Sequence, residues 1–522
     1  MRIVHNPQMT FGQVNIADIE ISLKSRDDIP QILLGLQHIY VTPELREGIF
    51  ALLEQVLPTR SGQGLTEEQR NQPVDPKRGR PGMEQWKILV LGVLRLGLNT
   101  DYDRIHELAN QHGSIRQMLG HSDWCDDTRY SLQSIKDNLM LFTPELFDQI
   151  NQEVVKAGHR LVKKSPNVGP TAISEPADTE NRPNADKLHG RCDSFVVETH
   201  VHFPTDINLL YDAIRKVIEE TYALAERHTL PGWRQHRHSL RQIKKQYRKI
   251  QKLKHASSKD PSKQAKREQA VKLAHQTYLD IVVEWLRKSE HTLQQARLGG
   301  AIPIEFSALE GYQSYARKFI DQINRRVIQG ETIPHEEKLF SIFQPHTEWI
   351  CKGKAGVPFE LGLRVCIMED QHRFILHHQV MEKQTDDAIA VEMVSQSRQR
   401  FPELTIASFD KGFHSKANQA ELKNHLEQVI LPKKGRLSQA DKDHEGSDDF
   451  KKLRNQHSAV ESAINALEQN GLDRCPDHGI KGFKCYVALA VVSRNIKRLG
   501  AVIRQQALEK QQRKRGPYKK AA

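Results

Sequence analysis

The chain has 522 residues, of which 77 are Lys or Arg and 65 are Asp or Glu, giving a formal net charge of +12. At about 150 residues per domain, this length predicts roughly three structural units. The positive surplus favours a polyanionic partner such as DNA. No apolar run approaches the roughly 20 residues that cross a bilayer, and the start lacks the apolar core of a signal peptide. We therefore expect a cytoplasmic protein without a membrane partner.

The cysteines argue against two kinds of site. Six cysteines are few for this length, and a reducing compartment does not favour a disulfide framework. Cys475, His478 and Cys485 come nearest to a metal-binding spacing, but a clean fourth ligand is missing. Zinc is therefore not expected at these three residues.

Residues 84–160 predict an all-α region after an N-terminal region at 1–83. The segment 86–96 carries a wide apolar face, which is typical of a packed helix. Further helix starts follow at short intervals, and Gly113 supplies a turn. Three short helices around a glycine turn fit a helix-turn-helix DNA-binding domain. A bundle that only packs is the alternative.

Residues 161–187 predict a linker, because the stretch holds four prolines and almost no large apolar side chain. The next residues, RCDSFVVETHVHFP, have the β-branched and aromatic content of a strand that Pro204 closes. Asp193 lies at the beginning of this predicted strand. Regular alternation places Asp193 on the opposite face from His200 and His202.

His200 and His202 form an HxH pattern on the predicted strand, which is how amidohydrolase barrels often begin a metal site. Such a barrel needs repeated βα units, and the helical region that follows interrupts them. We therefore interpret both histidines as structural or close to DNA. A metallohydrolase that uses them is the less favoured alternative.

Residues 207–335 predict a helical and strongly basic insertion. Cations recur every three or four residues, which lines one helix face with positive charge that can follow DNA phosphates. These residues are Arg234, Arg237, Arg241, Lys244, Lys245, Arg248 and Lys252. A solvated helical arm is the alternative.

Residues 336–500 return to short β-rich runs separated by helical segments, and 501–522 predict a basic tail. Together with the segment 188–206, which contains the predicted strand, this region predicts a mixed α/β unit. Lys433, Lys434 and Arg436 follow the run QVIL and are further candidate DNA contacts.

Two acids in this region occupy positions suited to catalysis. Asp410 follows the apolar strand LTIASF, and the carboxyl ends of strands are where α/β sheets bind ligands. Glu461 borders the apolar side of the helix HSAVESAINALEQNG. Phosphodiester cleavage commonly uses two divalent ions, which carboxylates on rigid elements can hold. An isolated strand-end Asp and an exposed helical Glu are the alternatives.

Five blocks of the sequence carry a family resemblance. They are RCDSFVVETHVHFPTDINLL, SIFQPHTEWICKGKAGVPFELG, ASFDKGFHS, the long segment that begins HSAVESAINALEQNG and the helical stretch that begins GMEQWKILVLGVLRLG. In these blocks the chain resembles bacterial insertion-sequence transposases of the DDE type, most closely the ISNCY group. The resemblance implies an α/β RNase H-like catalytic core interrupted by a long basic helical insertion, with an all-α N-terminal DNA-binding region. It also implies Asp193, Asp410 and Glu461 as catalytic residues and as ligands of two Mg²⁺ or Mn²⁺ ions.

The resemblance further implies the partners and one departure. The expected partners are double-stranded DNA, as terminal inverted repeats and as target, and further copies of the chain in a homodimer or larger complex near the nucleoid. Many related groups carry Tyr, Arg and Lys where this chain has Arg454, His457 and Glu468. Arg454 and His457 are still candidate phosphate contacts. A non-catalytic DNA-binding regulator, or an inactive remnant of an element, is the main alternative function.

Overall fold

A computed structural model describes residues 2–55, 82–122, 126–164, 187–255, 260–351 and 358–515. The chain divides into two compact units. The first consists of Met1–Glu198 with Gly362–Ala522, and the second is Thr199–Leu361. In these ranges the protein is a mixed α/β structure, mostly helical, with a mixed sheet. The predicted linker lies almost entirely at 165–186, outside the described residues.

The sheet is built around its longest strands. Its members are β1 (Leu188–Thr199), β2 (Glu348–Cys351), β3 (Phe359–Asp370), β4 (Ile375–Met381), β5 (Leu404–Phe409), β6 (Gln428–Ile430) and β7 (Arg474–Cys475). β1 lies between β3, which is antiparallel to it, and β5, which is parallel to it. β4 pairs antiparallel with β3, and β6 pairs parallel with β5. β2 also pairs with β3, and β7 with β1.

The described part of the chain contains seventeen α-helices. They are α1 (Asp28–Val41), α2 (Pro43–Glu54), α3 (Gln85–Gly97), α4 (Tyr102–Gln111), α5 (Gly113–Met118), α6 (Leu132–Leu139), α7 (Pro144–Lys164), α8 (Asp206–Arg227), α9 (His236–His255), α10 (Pro261–Leu298), α11 (Pro303–Ile323), α12 (Asp386–Arg400), α13 (Lys416–His425), α14 (Gln439–Gly446), α15 (Asp448–His457), α16 (Ala459–Leu467) and α17 (Gly479–Arg515). Each described helix falls short of a bilayer-spanning segment in length or in apolar content.

Among the described residues of the first unit, a hydrophobic core joins the N-terminal helices to the sheet. Ile32 of α1, Leu91 of α3, Val197 of β1 and Val492 of α17 all belong to it and are fully buried. α3 is buried almost all round, as its continuous apolar sequence favours. The helices predicted within 84–160 are present, but they share this core with the sheet instead of forming a separate compact unit.

Close packing of α1 against α17 depends on glycine. A Cβ atom at Gly500 would clash with the backbone carbonyl oxygen of Gln31 and would lie 3.0 Å from the backbone nitrogen of Gly35. We expect Gly500→Ala to lower the free energy of unfolding by about 2 kcal/mol or more, because neither backbone can yield without separating the helices. Gly113→Ala is the control, since its Cβ would meet nothing within 4 Å. Equal melting temperatures for the two variants, measured by calorimetry, would contradict this packing.

The second unit is a helical bundle with its own core. α8 to α11 contribute fully buried side chains that include Ile214, Tyr278 and Phe319. Trp233 is buried too, and its indole Nε1 donates to the hydroxyl oxygen of Thr292 at 3.0 Å. Trp233 therefore belongs to the core, whereas the cations of α9 lie on its exposed side.

Two element boundaries differ from the sequence prediction. β1 begins at Leu188 and ends at Thr199, so Asp193 is at its centre and His200 and His202 follow the strand. The helix α17 continues to Arg515 and buries Val502, so residues 501–515 are not a tail. Residues 516–522 lie outside the described residues.

Candidate active site

The sheet places Asp193 and Asp410 side by side. β1 and β5 are parallel neighbours, and Cys192 pairs with Phe409 in their ladder. Asp193 is the next residue after Cys192, and Asp410 is the next residue after Phe409, where β5 ends. Adjacent strands are about 4.8 Å apart. The two acids are therefore at the same level on neighbouring strands, although their positions are 217 residues apart in the sequence.

Glu461, on the helix α16, lies near this pair of acids. It lies in the first turn of α16, where its backbone nitrogen donates to the carbonyl oxygen of Ser458 at 3.2 Å, and its side chain is exposed. Burial raises the pKa of Asp193 to about 6, and the negative charges of Asp410, Asp386 and Glu461 act in the same direction. The backbone N–H of Ser194 donates to Asp193 Oδ1 at 2.7 Å and opposes this rise.

Asp386 is an acid of this site that the sequence patterns did not single out. It is the first residue of α12, and its Oδ1 accepts a hydrogen bond from the Ser194 hydroxyl at 2.6 Å. A Cβ at Gly412 would lie 3.1 Å from Asp386 Oδ2, so the turn after Asp410 passes close to this carboxylate. The sequence signal was slight, namely two acids that open a helix after Thr385.

Three hydrogen-bonded polar side chains, those of His189, Ser408 and His457, lie near the acids. Ser408 Oγ is 3.1 Å from Nδ1 of His457 and 3.3 Å from Nε2 of His189. Burial lowers the pKa of His457, while the charges of Asp410 and Glu461 oppose the shift. The structure thus brings His457, predicted as a phosphate contact, next to two of the predicted catalytic acids. His189 and Ser408 were not predicted.

A buried ion pair extends from this group along β1. Nη1 of Arg191 is 3.5 Å from Oε2 of Glu369 on the neighbouring strand β3, and both side chains are buried. Burial raises the pKa of Glu369 to about 7. Arg191 is two residues before Asp193, so alternation along the strand places both on one face of the sheet.

The carboxylate oxygens of Asp193, Asp410 and Glu461 suit a hard divalent cation, but in this structure the three side chains do not converge on one point. In the ranges that the structure describes, no three His, Cys, Asp or Glu side chains are arranged so that they could hold a metal ion. Oxygen donors are nevertheless what Mg²⁺ prefers. A buried carboxyl group whose pKa is raised beside other acids is also a group that a cation would stabilise. By this chemistry, Asp193, Asp410 and Glu461 fit the divalent metal ions, Mg²⁺ or Mn²⁺, that the resemblance implies.

The other predicted site residues are distributed over both units. The seven cations from Arg234 to Lys252 lie in the second unit, and all are exposed. In the first unit, Lys434, Arg436 and Arg454 are exposed, whereas Lys433 forms an ion pair with Asp441.

The alternative metal sites have little support from the geometry. Nε2 of His202 is 3.4 Å from Asp212 Oδ2, which is an ion pair with an acid of α8. Burial raises the pKa values of Cys475 and Cys485 to about 12 each, which keeps both thiols protonated. Cys485 Sγ donates to the carbonyl oxygen of Phe142 at 3.4 Å.

The chain was compared with protein-family models, with curated proteins and with solved structures, and nothing matched in any of the three. Its function is therefore inferred from its own residues. The relevant features are the two adjacent strand acids, the helical acid beside them and the order of the sheet.

Proposed function

We propose that this chain is a DDE-type DNA transposase of an insertion sequence, which binds element ends and catalyses metal-dependent strand cleavage and strand transfer. One observation carries the proposal. Asp193 and Asp410 follow paired residues on adjacent parallel strands, and the charge of Glu461, on a later helix, reaches Asp193. Three acids from two strands and a late helix are the set that the resemblance to these transposases implies.

The sheet supports an RNase H-like interpretation of the first unit. Within it, the paired strands β4-β3-β1-β5-β6 have antiparallel pairs on one side of β1 and parallel pairs on the other, while β2 also pairs with β3 and β7 with β1. Helices follow β4, β5 and β6, and the helix with Glu461 comes after the last of these strands. The second unit interrupts this core between β1 and β3, as a basic helical insertion would.

The proposed reaction has two phosphoryl-transfer steps. Water attacks a phosphorus at the element end, the bond to the leaving 3′ oxygen breaks, and a free 3′ hydroxyl results. This hydroxyl then attacks a phosphodiester of target DNA, and a second 3′ oxygen leaves. Two divalent ions held by Asp193, Asp410 and Glu461 would activate the attacking oxygen and stabilise the charge on the leaving one.

The protein's own residues set the geometry of that site. The Ser194 backbone N–H orients the Asp193 carboxylate, and the Ser194 hydroxyl holds Asp386. Asp193 and Asp410 are fixed by the ladder between β1 and β5, whereas Glu461 has an exposed side chain that is able to turn toward them. Burial keeps His457 largely neutral near pH 7, where it can hydrogen-bond beside Asp410 and Glu461.

The experiment that tests the proposal uses a labelled duplex that contains the DNA flanking the gene of this chain. We expect nicking at the element end with Mg²⁺ and none with EDTA. Tight binding without nicking would instead favour the non-catalytic DNA-binding regulator. The observation that favours this second candidate is that no three described acids or histidines stand ready to hold a metal ion.

The cationic face of α9 gives a separate prediction for DNA binding. Among the described residues, none of the cations from Arg234 to Lys252 forms an ion pair with a carboxylate. Replacing Arg237, Arg241 and Lys244 by Gln should reduce the slope of log affinity against log salt by about 0.9 for each phosphate that the variant no longer neutralises. The effect should be similar for any duplex sequence, because phosphates carry no sequence information.

The control for this variant removes the same charge from the neighbouring helix. Lys266, Lys272 and Arg287 of α10 are exposed, and their replacement by Gln changes net charge equally. Fluorescence anisotropy at several salt concentrations gives both slopes. An equal decrease of slope in the two triple variants would show that net charge, and not the face of α9, determines binding.

A further inference from the structure

A second cationic site lies in the first unit, behind the helix that carries Glu461. It is a cavity of about 180 Å³, lined by Arg373, Arg494, Lys497 and Arg498 together with uncharged residues that include Gln469 and Asn470. No carboxylate of the described residues lines it.

Two parts of the fold supply the four cations. Arg494, Lys497 and Arg498 are spaced three and four residues apart on α17, so they share one helix face. Arg373 comes from the turn between β3 and β4. Gln469 and Asn470 belong to the turn directly after α16. The cavity is therefore a neighbour of the catalytic helix within one compact unit.

Nearby acids offset these charges only in part. Lys497 Nζ is 2.9 Å from Oδ2 of Asp28. Glu369 faces Arg494, but burial raises the pKa of Glu369 to about 7, so this carboxyl group is only partly ionised at neutral pH. Asp370 is near Arg498, but its Oδ2 is already 2.5 Å from Nε2 of His159.

The arginines retain hydrogen-bonding capacity that the described residues do not use. Nε of Arg494 is buried and has no hydrogen-bond partner among them. Arg498 Nε donates to the carbonyl oxygen of His372 at 3.0 Å. Burial lowers the pKa of Arg498, and the charges of Arg494 and Arg373 lower it further. An anion would stabilise these guanidinium groups, because their positive charges repel one another and the buried Nε of Arg494 lacks an acceptor among the described residues.

Arg373 adds an independent observation, because its backbone is unfavourable for its residue type. Its φ is 67°, in the left-handed region, and its N–H donates to the carbonyl oxygen of Asp370 at 3.1 Å. Turns of this kind usually have Gly or Asn at such a position. An arginine held there at a cost in stability is consistent with a role for its guanidinium group.

We propose that this cavity binds a phosphate group. Guanidinium groups match the tetrahedral oxyanion through paired, charge-assisted hydrogen bonds. The ligand is either a phosphodiester of a DNA strand that extends from the acids or free inorganic phosphate. Only the first of these sources rests on the proposed function.

The test measures binding of inorganic phosphate to the full chain by isothermal titration calorimetry at constant ionic strength. Arg373→Asn removes one cation and places at this left-handed position a residue that tolerates the conformation, so its melting temperature should equal or exceed that of the wild type. We expect phosphate affinity to fall about tenfold or more in this variant. Arg513→Gln is the matched control, because it removes an exposed arginine farther along the same helix, and it should bind phosphate as the wild type does.

The proposal would be overturned if phosphate failed to bind the wild type, or if Arg373→Asn and Arg513→Gln bound it equally. DNA binding distinguishes the two sources. A strand phosphate requires that Arg373→Asn reduce the salt slope for duplex binding by about 0.9 and that free phosphate compete with DNA. Free phosphate as the ligand leaves the slope unchanged. The phosphate titration does not require strand cleavage, so it stands apart from the nicking experiment.

Discussion

Asp410→Asn should abolish Mg²⁺-dependent nicking while the protein still binds the element end. Asp410 directly follows β5 beside Asp193, and asparagine keeps its size but removes the negative charge with which the carboxylate would hold a divalent ion. We expect a decrease on the order of a thousandfold or more, at least as large as removal of one electrostatic contact to a transition state. Asp193→Asn and Glu461→Gln should have comparable effects, because residues that act as one unit are not additive.

The matched control for these variants is Asp387→Asn. Asp387 is exposed beside Asp386 at the start of α12. The control therefore makes the same Asp-to-Asn change close to the site but leaves Asp193, Asp410 and Glu461 intact. A gel assay of nicking and an anisotropy assay of binding should be run on each protein. Nicking by Asp410→Asn at the wild-type rate would exclude Asp410 as a catalytic residue.

Asp193→Asn should make the metal-free protein more stable at neutral pH. The pKa of Asp193 is raised from 3.8 to about 6 in the folded protein, so the folded state binds this proton more tightly than the unfolded state. The stability that this proton contributes is present below about pH 4 and is lost as the pH rises through about 6. At pH 7 the ionised carboxyl group therefore costs up to about 3 kcal/mol, at about 1.36 kcal/mol for each pKa unit.

Calorimetry in EDTA at about pH 4 and pH 7 measures this effect. The Asp193→Asn variant should have a higher melting temperature than the wild type at pH 7 and nearly the same one at pH 4. Adding Mg²⁺ at pH 7 should stabilise the wild type but not the variant, because only a ligand that binds the folded state raises its stability. A variant that is less stable than the wild type at pH 7 in EDTA would contradict the raised pKa.

The sequence predicted the type of each region better than its boundaries. The basic helices of 207–335 are present because apolar residues recur at helical spacing, as at Ile243 and Ile250. Residues 84–160 were predicted to be a domain of their own, but their helices share a core with the sheet. Local sequence patterns do not show that α3 and α17 pack against one another. Val502 of α17 is buried in the core of the first unit, although the charged residues that follow it suggested a tail.

A residue of the candidate site could be predicted from the sequence only where the residues next to it form a recognisable pattern. Asp410 follows a clear strand, so its position could be inferred. Asp193 came from the resemblance, because the start of β1 at Leu188 is set by pairing with β5, which is not a local property. Asp386 and Ser408 were missed for the same reason. Their hydrogen bonds to Ser194 and His457 join residues that are 192 and 49 positions apart.

The position of β1 also affects how the protein is made. Gly190 pairs with Asp370, so about 180 residues of nascent chain must be added before this contact can form, which takes roughly 10 to 40 s at usual rates of synthesis. Meanwhile Thr199–Leu361, whose helices have their own core, can fold first. Synthesis that stops after residue 361 would leave a folded bundle attached to an apolar strand with both edges open. Such a truncated product should aggregate.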